Sequence, residues 1–203
     1  MKTVKVLAIC VLAVGANFLL SYLSVKILHL SLFLDTVFTC AVAFAAGTLP
    51  GLFTAILTTL IGSLLLGYPS VWDNLFALCA IAEVLLIGGF RFLLSRRENS
   101  GLADERPTLI STASALLLLY ISTCMIVSLL GGLIDFTITV GLETADNAVH
   151  PHTFFKLGLM RNRLPLLAAD ILSRIPVNIV DRFITAFGGY GLGMLAIRLR
   201  LIA

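Results

Sequence analysis

The sequence predicts an all-α integral membrane protein, a single bundle of six transmembrane helices with both termini on the inner side. Three observations carry that expectation. Apolar residues make up 59% of the 203-residue chain and charged residues 12%, with a mean hydropathy of +1.06. Soluble globular chains carry roughly twice that charged fraction. Six apolar segments can be drawn along the chain. The third observation is the stretch 34–66, in which Asp35 is followed by no charged residue until Asp73. A Gly-Thr-Leu-Pro-Gly break at 47–51 divides this stretch in two. Each half suits a thin bilayer core, which takes roughly 17 residues at a rise of about 1.5 Å each. Both halves are rich in Ala, Gly, Ser and Thr, which let helices approach closely in lipid.

The first predicted span, 4–25, follows Lys2 and Lys5. Its apolar run exceeds a signal-peptide core and meets no clear cleavage site, so it reads as an uncleaved span. The second and third, 36–46 and 52–66, form a hairpin with a turn at Pro50. The fourth covers 75–94. A polar inner loop, SRRENSGLADERP, follows at 95–107. The fifth covers 108–133, and a longer outer connection runs over 134–163. A connection of that length is usually functional or partly helical, and a lid along the membrane surface is expected. The sixth span, 176–197, follows a lead-in helix over 164–173. Without water in the hydrocarbon, each span must satisfy its own backbone hydrogen bonds, which makes it a helix. Alternation of the β-barrel kind is absent.

Basic residues set the orientation. Lys2, Lys5, Arg91, Arg96, Arg97, Arg106, Arg198 and Arg200 then lie inside, while the short outer loops hold Lys26 alone. Lys156, Arg161, Arg163, Arg174 and Arg182 fall in or after the long outer segment, where the rule weighs little. The small positive excess therefore reads as orientation, and no nucleic-acid partner is expected.

Polar residues gather at the predicted outer mouth. They are Asp35, then Tyr68, Trp72, Asp73 and Asn74 between spans three and four, Glu83 in span four and Asp135 closing span five. Asn178, Asp181 and Arg182 sit in the first predicted turns of span six. Ionisable groups inside a membrane are costly and face a cavity or a partner. Tyr68 and Trp72 suit either stacking on a flat ligand or anchoring at the interface. Asp170 and Arg174 have the i, i+4 spacing of a helical ion pair. Asp181 and Arg182 are consecutive, so each is expected to find its partner elsewhere, Glu83 being one partner for Arg182.

Catalytic patterns are missing. There is no G-x-S-x-G, no HExxH and no phosphate-binding glycine loop, so any ATP hydrolysis belongs to partner subunits and the chain is not expected to be an enzyme. His150 and His152 with Glu143 and Asp146 make a weak metal signal, and no metal or cofactor is expected. Cys10, Cys40, Cys79 and Cys124 lie in apolar runs and read as small core residues. The GGYGLG run at 188–193 reads as packing for a close helix neighbour.

The chain resembles the substrate-binding S component of an energy-coupling-factor (ECF) vitamin transporter. The likeness rests on its size, its six spans, the short pair from Asp35 through Pro50 to Leu66, the charged loop after span four, and the closing segment PVNIVDRFITAFGGYGLGML. The resemblance implies a vitamin-like solute held at the outer face by Asp35, Tyr68, Trp72, Asp73, Asn74, Glu83, Asp135, Asn178 and Arg182. It implies a small-residue row on the first helix that docks a transmembrane coupling subunit. Here that row is Ala8, Leu12 and Ala16, with Ala13 and Asn17 as an adjacent row, and the Pro50 turn lies where the partner could touch it. It also implies a cytoplasmic-membrane location and reorientation driven by partner ATPases. The alternatives are a multi-span sensor or accessory subunit, or a membrane enzyme. Sensors normally continue into a soluble output domain, and this sequence ends at Ala203.

Overall fold

A computed structural model describes residues 2–30, 32–66, 71–99, 109–141 and 153–201. Those residues form helices and connecting turns, with no strand among them. In chain order the α-helices are α1 (Lys2–Tyr22), α2 (Val37–Ala46), α3 (Thr48–Leu66), α4 (Ala77–Asn99), α5 (Leu109–Phe136), α6 (Thr153–Arg161), α7 (Leu166–Phe183) and α8 (Gly189–Arg198). Among the described residues, three helical stretches are long and apolar enough to cross a membrane: Thr3–Ile27, Asn74–Leu93 and Ser111–Val140. Val37–Ala46 and Thr48–Leu64 are apolar but shorter.

The hairpin of α2 and α3 turns more tightly than expected. Gly47 alone breaks it, at φ 112°, a conformation that L side chains rarely adopt. Thr48 already belongs to α3, so Pro50 lies in the first helical turn and not in the connection. A missing N–H costs nothing there. The Pro50 carbonyl accepts from Thr54 Oγ1 at 2.9 Å and from Cys10 Sγ at 3.7 Å, which ties the turn to the middle of α1. Arg91 Nη1 donates to the Ala43 carbonyl at 2.8 Å and so satisfies the end of α2. Asn17, completely buried, joins the three helices. Its Nδ2 donates to Thr39 Oγ1 at 2.8 Å and Thr58 Oγ1 at 3.3 Å, and its Oδ1 accepts from the Phe38 amide at 2.9 Å. Asn17 therefore cannot belong to a docking row. Ala13 is also buried, packed with Cys10 and Val42, so it too leaves the exposed face, while Ala8 is exposed and Ala16 half-buried.

The last helix begins earlier than the sequence suggested. α7 and α8 join through a wider helical turn, Ile184–Gly188, into one continuous rod from Leu166 to Arg198. Pro176 does not start a helix. It sits within α7 on the exposed side, as does Leu172, whose carbonyl loses the Pro176 donor, so the defect faces away from the core. Asn178, Asp181 and Arg182 are thus mid-helix. α5 likewise continues past Asp135 through the turn Thr137–Gly141, and α6 occupies part of the expected outer loop. Residues 100–108 and 142–152, with Glu143, Asp146, His150 and His152, lie outside the described residues, as does Tyr68.

The end of the bundle away from Asp35 is dry. Ala43, Phe44, Ala55, Val84 and Ile87 form its core with Leu116 and Leu119, and Cys40 of the same cluster borders Glu83. Phe44 meets Phe90 and Tyr190 edge-on, at 6.1 and 5.3 Å between centroids. A Cβ built on Gly189 would come within 2.7 Å of the Cys40 Cβ, and one on Gly193 within 2.9 Å of the Phe44 Cβ. The glycine run is therefore the seam that lets α8 lie against α2, as its sequence suggests.

Candidate functional site

The opposite end of the bundle holds a cavity of about 110 Å³. Its apolar surface comes partly from Phe18, Phe33 and Phe76. Ser21, Thr36, Thr58 and Asn178 supply neutral polar groups, and Asp35, Arg174 and Arg182 supply charge. The walls therefore come from α1, the segment before α2, α3, the start of α4, α5 and α7.

The segment that delivers Asp35 is tied down on both sides. Ser24 Oγ donates to the Leu32 carbonyl at 3.0 Å. The Leu34 amide donates to Asp181 Oδ1 at 2.8 Å. Leu34 has φ 48°, a left-handed conformation uncommon outside glycine. That geometry costs on the order of 1–3 kcal/mol and persists where the surroundings over-determine it. Here Asp181 and the buried Leu34 side chain do so, and the sharp bend sets Asp35 on the cavity wall.

Arg182 is the hub, 4% exposed. Its Nη1 contacts Glu83 on α4 and donates to Thr36 Oγ1 at 3.0 Å. Its Nη2 donates to Asp181 Oδ2 at 2.5 Å. The Glu83–Arg182 pair is thus present. The expectation that Asp181 and Arg182 do not meet is overturned. Consecutive helical residues point about 100° apart at 3.6 residues per turn, but the long arginine side chain folds back over that angle. Arg182 Nε is buried without an acceptor among the described residues.

The expected Asp170–Arg174 pair is also replaced. Arg174 donates from Nε and Nη2 to Asp135 Oδ2 on α5, at 2.8 and 2.6 Å, and stacks over the Phe76 ring at 4.8 Å. Asp170 instead meets Lys156 of α6 at 2.6 Å. Both tertiary pairs are buried, and partners on other helices supersede the local spacing. Asn178 Nδ2 donates to Ser128 Oγ at 2.9 Å.

Of the residues singled out from sequence, Asp35, Asn178 and Arg182 line the cavity. Glu83, 1% exposed, and Asp135 stand behind the two arginines. Trp72 is 46% exposed and, with Asn74, belongs to the short turn Val71–Phe76 without lining the cavity. Asp73 lies in the same turn, with only its backbone described. Sequence reasoning missed Arg174 and the three phenylalanines of the wall. The charge of Arg174 in a helical segment was a usable signal, but the i, i+4 spacing to Asp170 accounted for it locally. The phenylalanines, three of 13 in the chain, carry none.

The arrangement has the ingredients of a binding site: a cavity with aromatic walls, converging polar groups and paired charges behind them. No protein-family model, curated protein or solved structure matches this chain.

Proposed function

We propose that this protein is the solute-binding subunit of an energy-coupling-factor uptake transporter. In this reading it is a six-span bundle in the cytoplasmic membrane. The spans are α1 to α5 and the α7–α8 rod, with both termini inside and the cavity open to the outside. It binds a vitamin-like small molecule there and reorients against a transmembrane coupling subunit whose ATPases supply the energy. The exposed stripe of α1 around Ala8 and Leu12, and Leu49 beside the Gly47 turn, are the surfaces offered to that subunit.

The observation that carries this reading is the cavity at the charged end. Buried ionisable groups in an apolar helical bundle are costly and mark pathways or ligand sites. Here they surround a space with aromatic walls, and Asp35 borders that space without an ion pair to any described residue. The protein's own residues bind and orient the solute and carry out no covalent chemistry.

The test is thermal stability of the purified protein in detergent against a panel of vitamins and related small molecules. A ligand at about 100 times its Kd adds about 2.7 kcal/mol of stability. One or more compounds are expected to give such a shift, and Asp35→Ala to reduce it. If no compound stabilises the protein and no small molecule travels with it through purification, the reading fails.

A further inference from the structure

We propose that the solute is a small organic cation. Its positively charged nitrogen meets Asp35, its flat apolar part lies among Phe18, Phe33 and Phe76, and a lone-pair acceptor faces Arg182. This inference rests on the reading of the cavity as the solute site.

Charge carries the argument furthest. Arg182 is met by two carboxylates, Glu83 and Asp181, where one would neutralise it. Arg174 is balanced by Asp135. Lys156 of α6 is engaged with Asp170. Asp35 then adds a further carboxylate on the cavity wall. Among the described residues, four carboxylates thus share two guanidiniums on the cavity wall or directly behind it. Such an excess of negative charge favours a cationic guest and disfavours an anionic one.

Two further observations bear on the rest of the ligand, its acceptor and its flat part. Arg182 lines the cavity, and its Nε is a buried donor with no acceptor among the described residues. Buried donors are almost always satisfied, so this one calls for an acceptor from the guest. Aromatic faces attract cations, and Phe76 already holds the Arg174 guanidinium on its ring. Phe18 and Phe33 offer further ring surface on the same cavity.

The test uses three fragments of similar shape and different charge: benzylamine, benzyl alcohol and benzoate. Each is titrated against the purified protein, with thermal shift and calorimetry as readouts, and against Asp35→Asn. Asp35 makes no ion pair among the described residues, so its amide variant keeps the fold. Benzylammonium is expected to bind at least about tenfold more tightly than benzyl alcohol, and to lose that advantage in Asp35→Asn. Benzoate is expected to bind most weakly. If benzyl alcohol or benzoate binds as well as benzylammonium, or if the preference survives Asp35→Asn, the cation assignment is overturned while the cavity remains a solute site. If none of the three binds, the cation assignment is overturned, and the solute-site reading is decided separately by the compound panel and by what travels with the protein through purification.

Discussion

The two ends of the bundle use opposite chemistry to hold the same helices. At the dry end, α2, α4, α5 and α8 meet through Ala43, Phe44, Ile87, Leu116 and the Gly189–Gly193 seam. At the charged end, continuations of those helices meet through Thr36, Glu83, Ser128, Asn178 and Arg182. Lipid is as apolar as leucine, so burying leucine does not drive helices together in a membrane. Close packing and interhelical hydrogen bonds do. The dry end has the packing and leaves little space. The charged end has the hydrogen bonds and keeps a cavity. On the proposed function the difference separates a scaffold from a solute site, and substitutions at the two ends should fail in different ways.

The largest effect is expected from Arg182→Gln. It leaves Glu83 and Asp181 buried without their guanidinium, and breaking a buried pair costs about 3–5 kcal/mol. Denaturant or thermal unfolding in detergent measures it. Glu83→Gln should cost much less, because Asp181 still neutralises Arg182. Equal losses in the two variants would mean that charge balance does not govern this end. Gly193→Leu comes next, at about 1–3 kcal/mol for overpacking. It should lower the melting temperature while the folded fraction still binds solute at the charged end. A loss of binding at full occupancy of the fold would erase the distinction between the ends. Asn17→Leu removes the donors and acceptor that join α1, α2 and α3, with an expected cost of about 1–2 kcal/mol. Tyr120→Phe removes one hydroxyl bond, 3.1 Å to the Ile179 carbonyl on an exposed face, and should change stability by no more than about 0.6 kcal/mol.

Parts of this layout were legible in the sequence for physical reasons. The helical character, a break within 47–51 and the glycine seam follow from backbone rules that act locally. Glu83 and the consecutive Asp181 and Arg182 stood out because charges in an apolar run must find partners. What was hidden depended on tertiary placement. Arg174 has a carboxylate one helical turn away, yet Asp135 on α5 receives it, and the i, i+4 rule has no knowledge of a neighbouring helix. Asn17 reads as a tolerable polar residue on a docking face until α2 and α3 close around it. Pro176 reads as a helix start, but a proline on an outward-facing turn of a long rod has the same local sequence. Phe18, Phe33 and Phe76 converge from three separate segments, and no spacing links them.

Native mass spectrometry of the gently purified protein tests the central claim most directly. The account predicts that the wild-type chain carries a bound small molecule, that Asp35→Asn releases it, and that Tyr120→Phe retains it. An empty wild-type protein that also fails to take up any compound from the panel, or equal occupancy in wild type and Asp35→Asn, would contradict a solute site at the charged end.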